Sequence, residues 1–176
     1  MHLDLKITVP ADILASDHEL AQAAGRAVSS IVKNRLSERD HRGRSDGLPR
    51  TGYYGEASNS VTTEISGKTA LITIHKEGVA LHYYGGVVYP TTGHKALAIP
   101  KSIRGAGKRP AEVDPDQTKF ALVWPKGEKT GTLRDKETDE VVYLLVPKAT
   151  IPEDKTILPT EDEMVEAGKS AMEAIL

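Results

Sequence analysis

The sequence has no cysteine, a single phenylalanine, a single tryptophan and three methionines among its 176 residues. Without cysteine, disulfide frameworks, thiolate zinc sites and cysteine nucleophiles are excluded, and stability has to come from packing. So few large aromatics limit what one core can bury, and part of the stability is expected from partner subunits. No apolar run approaches the roughly 20 residues needed to cross a bilayer. The first residues alternate polar and apolar instead of placing a basic stretch before an apolar one, so a protein made and used in the cytoplasm is expected. An excess of one charge is also missing, since 23 Lys and Arg stand against 25 Asp and Glu, a formal net charge of -2. A protein whose main work is wrapping nucleic acid would be basic, which leaves room here only for a local basic patch.

What is present reads as one α+β domain over residues 1–176. Leu3, Leu5, Ile7 and Val9 alternate with Asp4, Lys6 and Thr8, the period of a half-buried strand, and Pro10 ends it. Ser16 and Glu19 have capping-box spacing ahead of Leu20, Ala24, Ala27, Val28, Ile31 and Val32, which share one face of a helix predicted over 17–37. Periodicity then disappears until about residue 55. Two β-rich runs flank Gly67 and Lys68, predicting a hairpin over 60–75. Residues 78–86 fit either one helical turn or a tight crossover. Short apolar runs at 96–100, 119–124 and 141–146 predict further strands. Long polar loops are expected near 38–55, 103–117 and 125–140, with 39–50 and 103–117 ordering only on assembly. Thr160 and Glu163 form a second capping box before a C-terminal helix carrying Met164, Gly168, Ala171, Met172 and Ile175 on one face. The expectation is a largely antiparallel sheet with the N-terminal and C-terminal helices packed on one face.

No constellation carries an enzyme signature. His75, His82 and His94, with Glu77, fall at spacings that match no zinc pattern. Gly105, Ala106, Gly107 and Lys108 resemble a phosphate loop only superficially, because Arg109 and Pro110 follow in place of Ser or Thr. Ser102 has no patterned base or acid. Gly25 and Gly168 sit inside helices, where glycine costs about 1 kcal/mol against alanine, so close packing is their expected reason. Lys33, Arg35, Arg39, Arg42, Arg44 and Arg50 face only Glu38, Asp40 and Asp46. That cationic stretch fits a solvated loop after a helix, or contact with an acidic partner or passing DNA. Tyr83, Tyr84 and Tyr89 around Gly85 and Gly86 are the densest aromatic cluster, suited to a core or to an interface.

Four segments in order, RTGYYGEASNSV at 50–61, ALHYYGGVVYP at 80–90, ALAIPKS at 96–102 and VYLLVPKATIP at 142–152, give the chain a resemblance. It resembles the virion morphogenesis and tail-completion family of tailed phages, Mu-like members included, over about residues 17–176. Two segments depart from that family's pattern. Leu81, His82, Tyr83 and Tyr84 replace its tyrosine-alanine-x-x-histidine order, and Pro152, Glu153, Asp154 and Lys155 stand where arginine-proline-phenylalanine often follows the last strand. The resemblance implies a structural virion protein of the head-tail joint or tail end, made in the host bacterial cytoplasm. It implies a self-assembling homo-oligomeric ring, a hexamer being one size considered, with other neck or tail proteins as neighbours. No cofactor, metal, membrane or small-molecule substrate is expected. Interface residues are assigned to Tyr83, Tyr84, Tyr89, Arg39, Arg42 and Arg44. The alternatives are an interaction or nucleic-acid-binding module using residues 35–50, and, least favoured, a metal-dependent hydrolase.

Overall fold

The computed structural model describes residues 3–8, 17–41 and 51–176. In chain order these form β1 (Leu3–Thr8), α1 (Asp17–His41), α2 (Tyr53–Asn59), β2 (Val61–Ser66), β3 (Thr69–Ile74), α3 (Val79–Tyr84), β4 (Gly86–Val88), β5 (Leu97–Pro100), α4 (Pro110–Val113), β6 (Phe120–Val123), β7 (Gly131–Asp135), β8 (Val141–Val146), β9 (Ala149–Ile151) and α5 (Glu161–Glu173). Short 3-10 turns occupy Ile103–Gly105 and Lys155–Ile157. The class is α+β, and every strand pair is antiparallel. The chain divides into two compact units, one from residues 1–42, 52–85 and 152–176, the other from 43–51 and 86–151.

The first unit holds the sheet β1-β3-β2. Its register aligns Leu3 and Val61 with Ile74, Leu5 with Ile72, and Ile7 and Ile65 with Ala70. Alternation therefore puts all these apolar side chains on one face, and α1 packs on that sheet. Leu20, Ala24, Val28, Val32 and Leu36, four residues apart and fully buried, form the stripe that α1 turns inward. Gly67 at φ 55° opens the two-residue turn between β2 and β3, a position that a side chain would strain. α5 lies on α1, with Gly168 against Ala24 and Val28. Its capping box is formed, Thr160 Oγ1 accepting from Glu163 N at 3.2 Å and Glu163 Oε2 accepting from Thr160 N at 2.7 Å.

Two boundaries differ from the sequence reading. α1 continues to His41 instead of ending at 37, because Arg35 and Arg39 are held by Glu163 and Asp154 across the unit. Residues 53–59, expected inside a loop, form α2. Its Ala57 is buried and both Tyr53 and Tyr54 pack on the core, while Tyr54 N donates to Asp40 Oδ1 at 3.1 Å. The capping residue Ser16 lies outside the described residues.

The second unit contains the sheet β5-β8-β7-β6 and the two-stranded ribbon β4-β9. The stretch 125–140 is the hairpin leading into and out of β7, and 103–117 contains a 3-10 turn and α4. Asp114 fixes the return to β6, accepting from the backbone N–H of Thr118, Lys119 and Phe120, each at 2.9 Å. Phe120, Val142 and Tyr143 form the buried cluster, with Ala98, Val113 and Leu133 against it.

Candidate functional site

The first unit brings Arg39, Tyr53, Tyr54, His82 and Asp154 into one cluster. Arg39 pairs with Asp154 and donates to Thr156 Oγ1 at 3.3 Å, and its guanidinium lies 5.9 Å from the Tyr54 ring centroid. The His82 ring sits 5.4 Å from Tyr53 and 5.9 Å from Tyr54, and its carbonyl accepts from Asp154 N at 3.0 Å. Burial lowers the His82 pKa first, with the Arg39 charge acting the same way. Burial also raises Tyr54, and pushes Tyr53, beside Tyr54, up to about 12. All three rings stay neutral near pH 7, and the cluster holds α1, α2, α3 and the turn at 155–157 together. Arg39 is thus engaged within its own chain. Arg42 and Arg44 lie outside the described residues.

Next to it, Tyr83 and Tyr84 meet edge to face at 4.9 Å, and Lys155 Nζ stands 4.0 Å and 4.4 Å from their centroids. Two π faces around one ammonium form a half-cage. Tyr83 leans on the core cluster, whereas Tyr84 is 56% exposed.

In the second unit Tyr89 follows β4 and is 63% exposed. It is one of several, since Val87, Ile103, Leu122, Val123 and Trp124 are also exposed. Two buried carboxylates brace this unit. Burial raises Asp114, but its three backbone donors outweigh that and hold it below the ordinary carboxylate range. Asp135 accepts from the backbone N–H of Thr138 and Glu137, each at 2.9 Å, and from Arg104 Nη1 at 2.6 Å. The Thr138 amide first, and Arg104 second, hold its carboxyl down at about 2. Gly105 has a packing purpose, because a Cβ there would come within 2.9 Å of the Tyr143 ring, whose hydroxyl donates to the Lys108 carbonyl at 3.2 Å.

His75 Nε2 lies 2.8 Å from Thr62 Oγ1 beyond β3, His82 is in the aromatic cluster, and His94 follows β4 in a turn. Among the described residues no three His, Cys, Asp or Glu side chains are grouped to hold a metal ion, and no helix is long and apolar enough to cross a membrane. Ser102 Oγ is buried and has no hydrogen-bond partner among the described residues. Sequence reasoning missed Asp114, Asp135, Trp124 and Lys155. Asp114 follows a proline-led turn and Asp135 opens a local Asx-type turn onto Glu137 and Thr138, patterns that signal loop-capping carboxylates; Trp124 is held within its own hairpin, and Lys155 meets Tyr83 and Tyr84 through a tertiary contact. Compared with protein-family models, curated proteins and solved structures, the chain matches none of them.

Proposed function

We propose that the protein is a structural component of a tailed-phage virion, acting at the head-tail joint or tail end by assembling into a homo-oligomeric ring, without turnover of a substrate. It is made in the bacterial cytoplasm and ends in the particle beside other neck or tail proteins. The observation that carries this reading is the imbalance between the two units. Of the 19 buried apolar residues among those described, all but Phe120, Val142 and Tyr143 belong to the first unit. The second unit leaves Val87, Tyr89, Ile103, Leu122, Val123 and Trp124 between 40% and 71% exposed. Scattered exposed apolar side chains are ordinary, but a small unit that exposes more large ones than it buries has surface suited to partners. Its four-stranded sheet also ends in β5 and β6, edges that a neighbour can pair or cover. The order of the four tyrosine-, glycine- and proline-bearing segments supplies the link to phage particles.

The test is direct. Purified protein examined by mass photometry and negative-stain electron microscopy is expected to form closed rings of one size, and antibody labelling is expected to place the protein at the neck or tail of particles. A chain that stays monomeric at its highest soluble concentration overturns the ring, and particles devoid of the protein overturn the virion assignment.

A further inference from the structure

We propose that copies of the chain join head to tail, the tip of the β6–β7 hairpin of one copy seating in the groove between α1 and α5 of the next. The inference rests on the assembly reading and supplies its contact. Charge is divided unevenly between the units. Among the described residues the first carries 9 Lys and Arg against 15 Asp and Glu, a net of -6, and the second 11 against 8, a net of +3. A contact that sets either unit against the same unit of another copy puts like charge against like. A head-to-tail contact sets the basic unit of one copy against the acidic unit of another, and it closes into a ring when the rotation allows.

The particular surfaces follow from the residues. The groove has a volume of about 500 Å³ and is lined by Ile31, Asn34 and Glu38 from α1 and by Glu166, Ala167 and Ser170 from α5. Arg35 and Glu163 also line it, but they pair with each other at 2.6 Å. Glu38 and Glu166 remain, one on each wall, exposed and without a cationic partner among the described residues. Opposite in sign, Lys126 and Lys129 at the hairpin tip are exposed and pair with no carboxylate among the described residues. Beside them Leu122 is 63% and Trp124 41% exposed, apolar contacts for Ile31 and Ala167.

The tip is stiff before it binds. Glu128 N donates to the Pro125 carbonyl at 3.1 Å, and the Trp124 indole N–H donates to the Glu128 carbonyl at 3.0 Å. The Trp124 ring lies so close over Gly131 that a Cβ there would come within 2.4 Å of it. A preorganised arm loses little conformational freedom on docking.

A charge exchange tests the pairing. Lys126→Glu/Lys129→Glu and Glu38→Lys/Glu166→Lys alter exposed side chains only, and circular dichroism is expected to show both variants folded. Each alone is expected to self-associate roughly 100-fold more weakly than the wild type, because like charges then meet at the contact. An equimolar mixture is expected to regain mixed assemblies by mass photometry. Trp124 is the one tryptophan of the chain, so its emission reads the hairpin directly and is expected to shift on mixing. Variants that assemble alone like the wild type, or folded monomers that fail to combine when mixed, overturn the pairing while leaving the ring standing. If the lysine variant assembles normally and instead loses retention on DNA, the arm serves nucleic acid and the inference is wrong. A wild type that never assembles removes the ring reading itself, and this contact with it.

Discussion

Replacing Gly25 by alanine is expected to destabilise the protein, although alanine is the better helix former. A Cβ at position 25 would lie 2.7 Å from the Ala70 Cβ, 3.2 Å from Thr63 Cγ2 and 3.3 Å from Ile65 Cδ1. The first of these is decisive. Ala70 is fully buried on β3, the central strand of its sheet, and its methyl is fixed to the backbone, so relief requires α1 or the sheet to move. Overpacking of this kind costs about 1–3 kcal/mol, and exchanging glycine for alanine in a helix returns about 1 kcal/mol. The net is a loss of up to about 2 kcal/mol, which lowers Tm by up to about 8 °C in a chain of this size. Gly168 is the control. A Cβ there meets Ala24 and Val28 at 3.7 and 3.9 Å, ordinary contact distances, so Gly168→Ala keeps the propensity gain and raises Tm by up to about 4 °C. Adding Ala70→Gly to Gly25→Ala is expected to recover part of the loss, giving a favourable coupling in a double-mutant cycle. Thermal melts followed by far-UV circular dichroism read all of these. A Gly25→Ala protein whose Tm rises as much as that of Gly168→Ala refutes the reasoning, since the close approach would then cost nothing.

Three further outcomes are expected. Asp135, held at about 2 in the fold against an ordinary 3.8, contributes stability that is complete above the ordinary value and is lost as pH falls through about 2. An acid titration of Trp124 emission should show that loss in the wild type and a flatter curve in Asp135→Asn, and identical curves reject the assignment. Asp114→Ala strands three backbone N–H groups at the entry to β6, so local amide exchange at 118–120 is expected to accelerate, and unchanged protection there rejects the anchor. Tyr84→Ser with Tyr89→Ser is expected to weaken ring formation while the monomer stays folded, because both side chains are more than half exposed, whereas Tyr83→Ser should lower Tm through its core contact; a double variant that unfolds assigns these tyrosines to the core.

Local signals were enough for the periodic elements. The alternation of Leu3, Leu5 and Ile7, the helical spacing of Leu20, Ala24, Val28 and Val32, the glycine turn after Ser66 and the Thr160 capping box each encode their geometry within a few residues, and each forms as read. What escaped depends on distant partners. α2 has Gly55 in its middle and seven residues in all, too few for a period to emerge, and it exists because Tyr53, Tyr54 and Ala57 find a core. The last turn of α1 is polar, and its helicity is secured by Asp154, more than a hundred residues later. The candidate surfaces were legible in composition and not in arrangement. Tyr83, Tyr84 and Tyr89 were visible as a cluster, but which of them turn outward is decided by α3 and by Lys155. Residues 119–124 read as a strand and 125–140 as exposed loops or a solvent-facing hairpin, but nothing local marks Trp124, Lys126 and Lys129 as one presented tip.

Residues 81–84 and 152–155 are distant in sequence and adjacent in space, and the structure joins them at three points. Asp154 N donates to the His82 carbonyl, Asp154 meets the Arg39 that lowers the His82 pKa, and Lys155 lies over Tyr83 and Tyr84 together. An aromatic pair placed on α3 offers its π faces where a cation can stand, and a lysine in the facing turn supplies that cation. Asp154 also accepts from Thr156 N at 3.0 Å, closing the turn that carries Lys155. The two segments thus form one set of contacts, in which each half gives the other its partner. Lys155→Ala is therefore expected to disturb Tyr83 and Tyr84 specifically, and the Tyr83 ring resonances in NMR spectra should shift while those of Tyr143, in the other unit, stay in place.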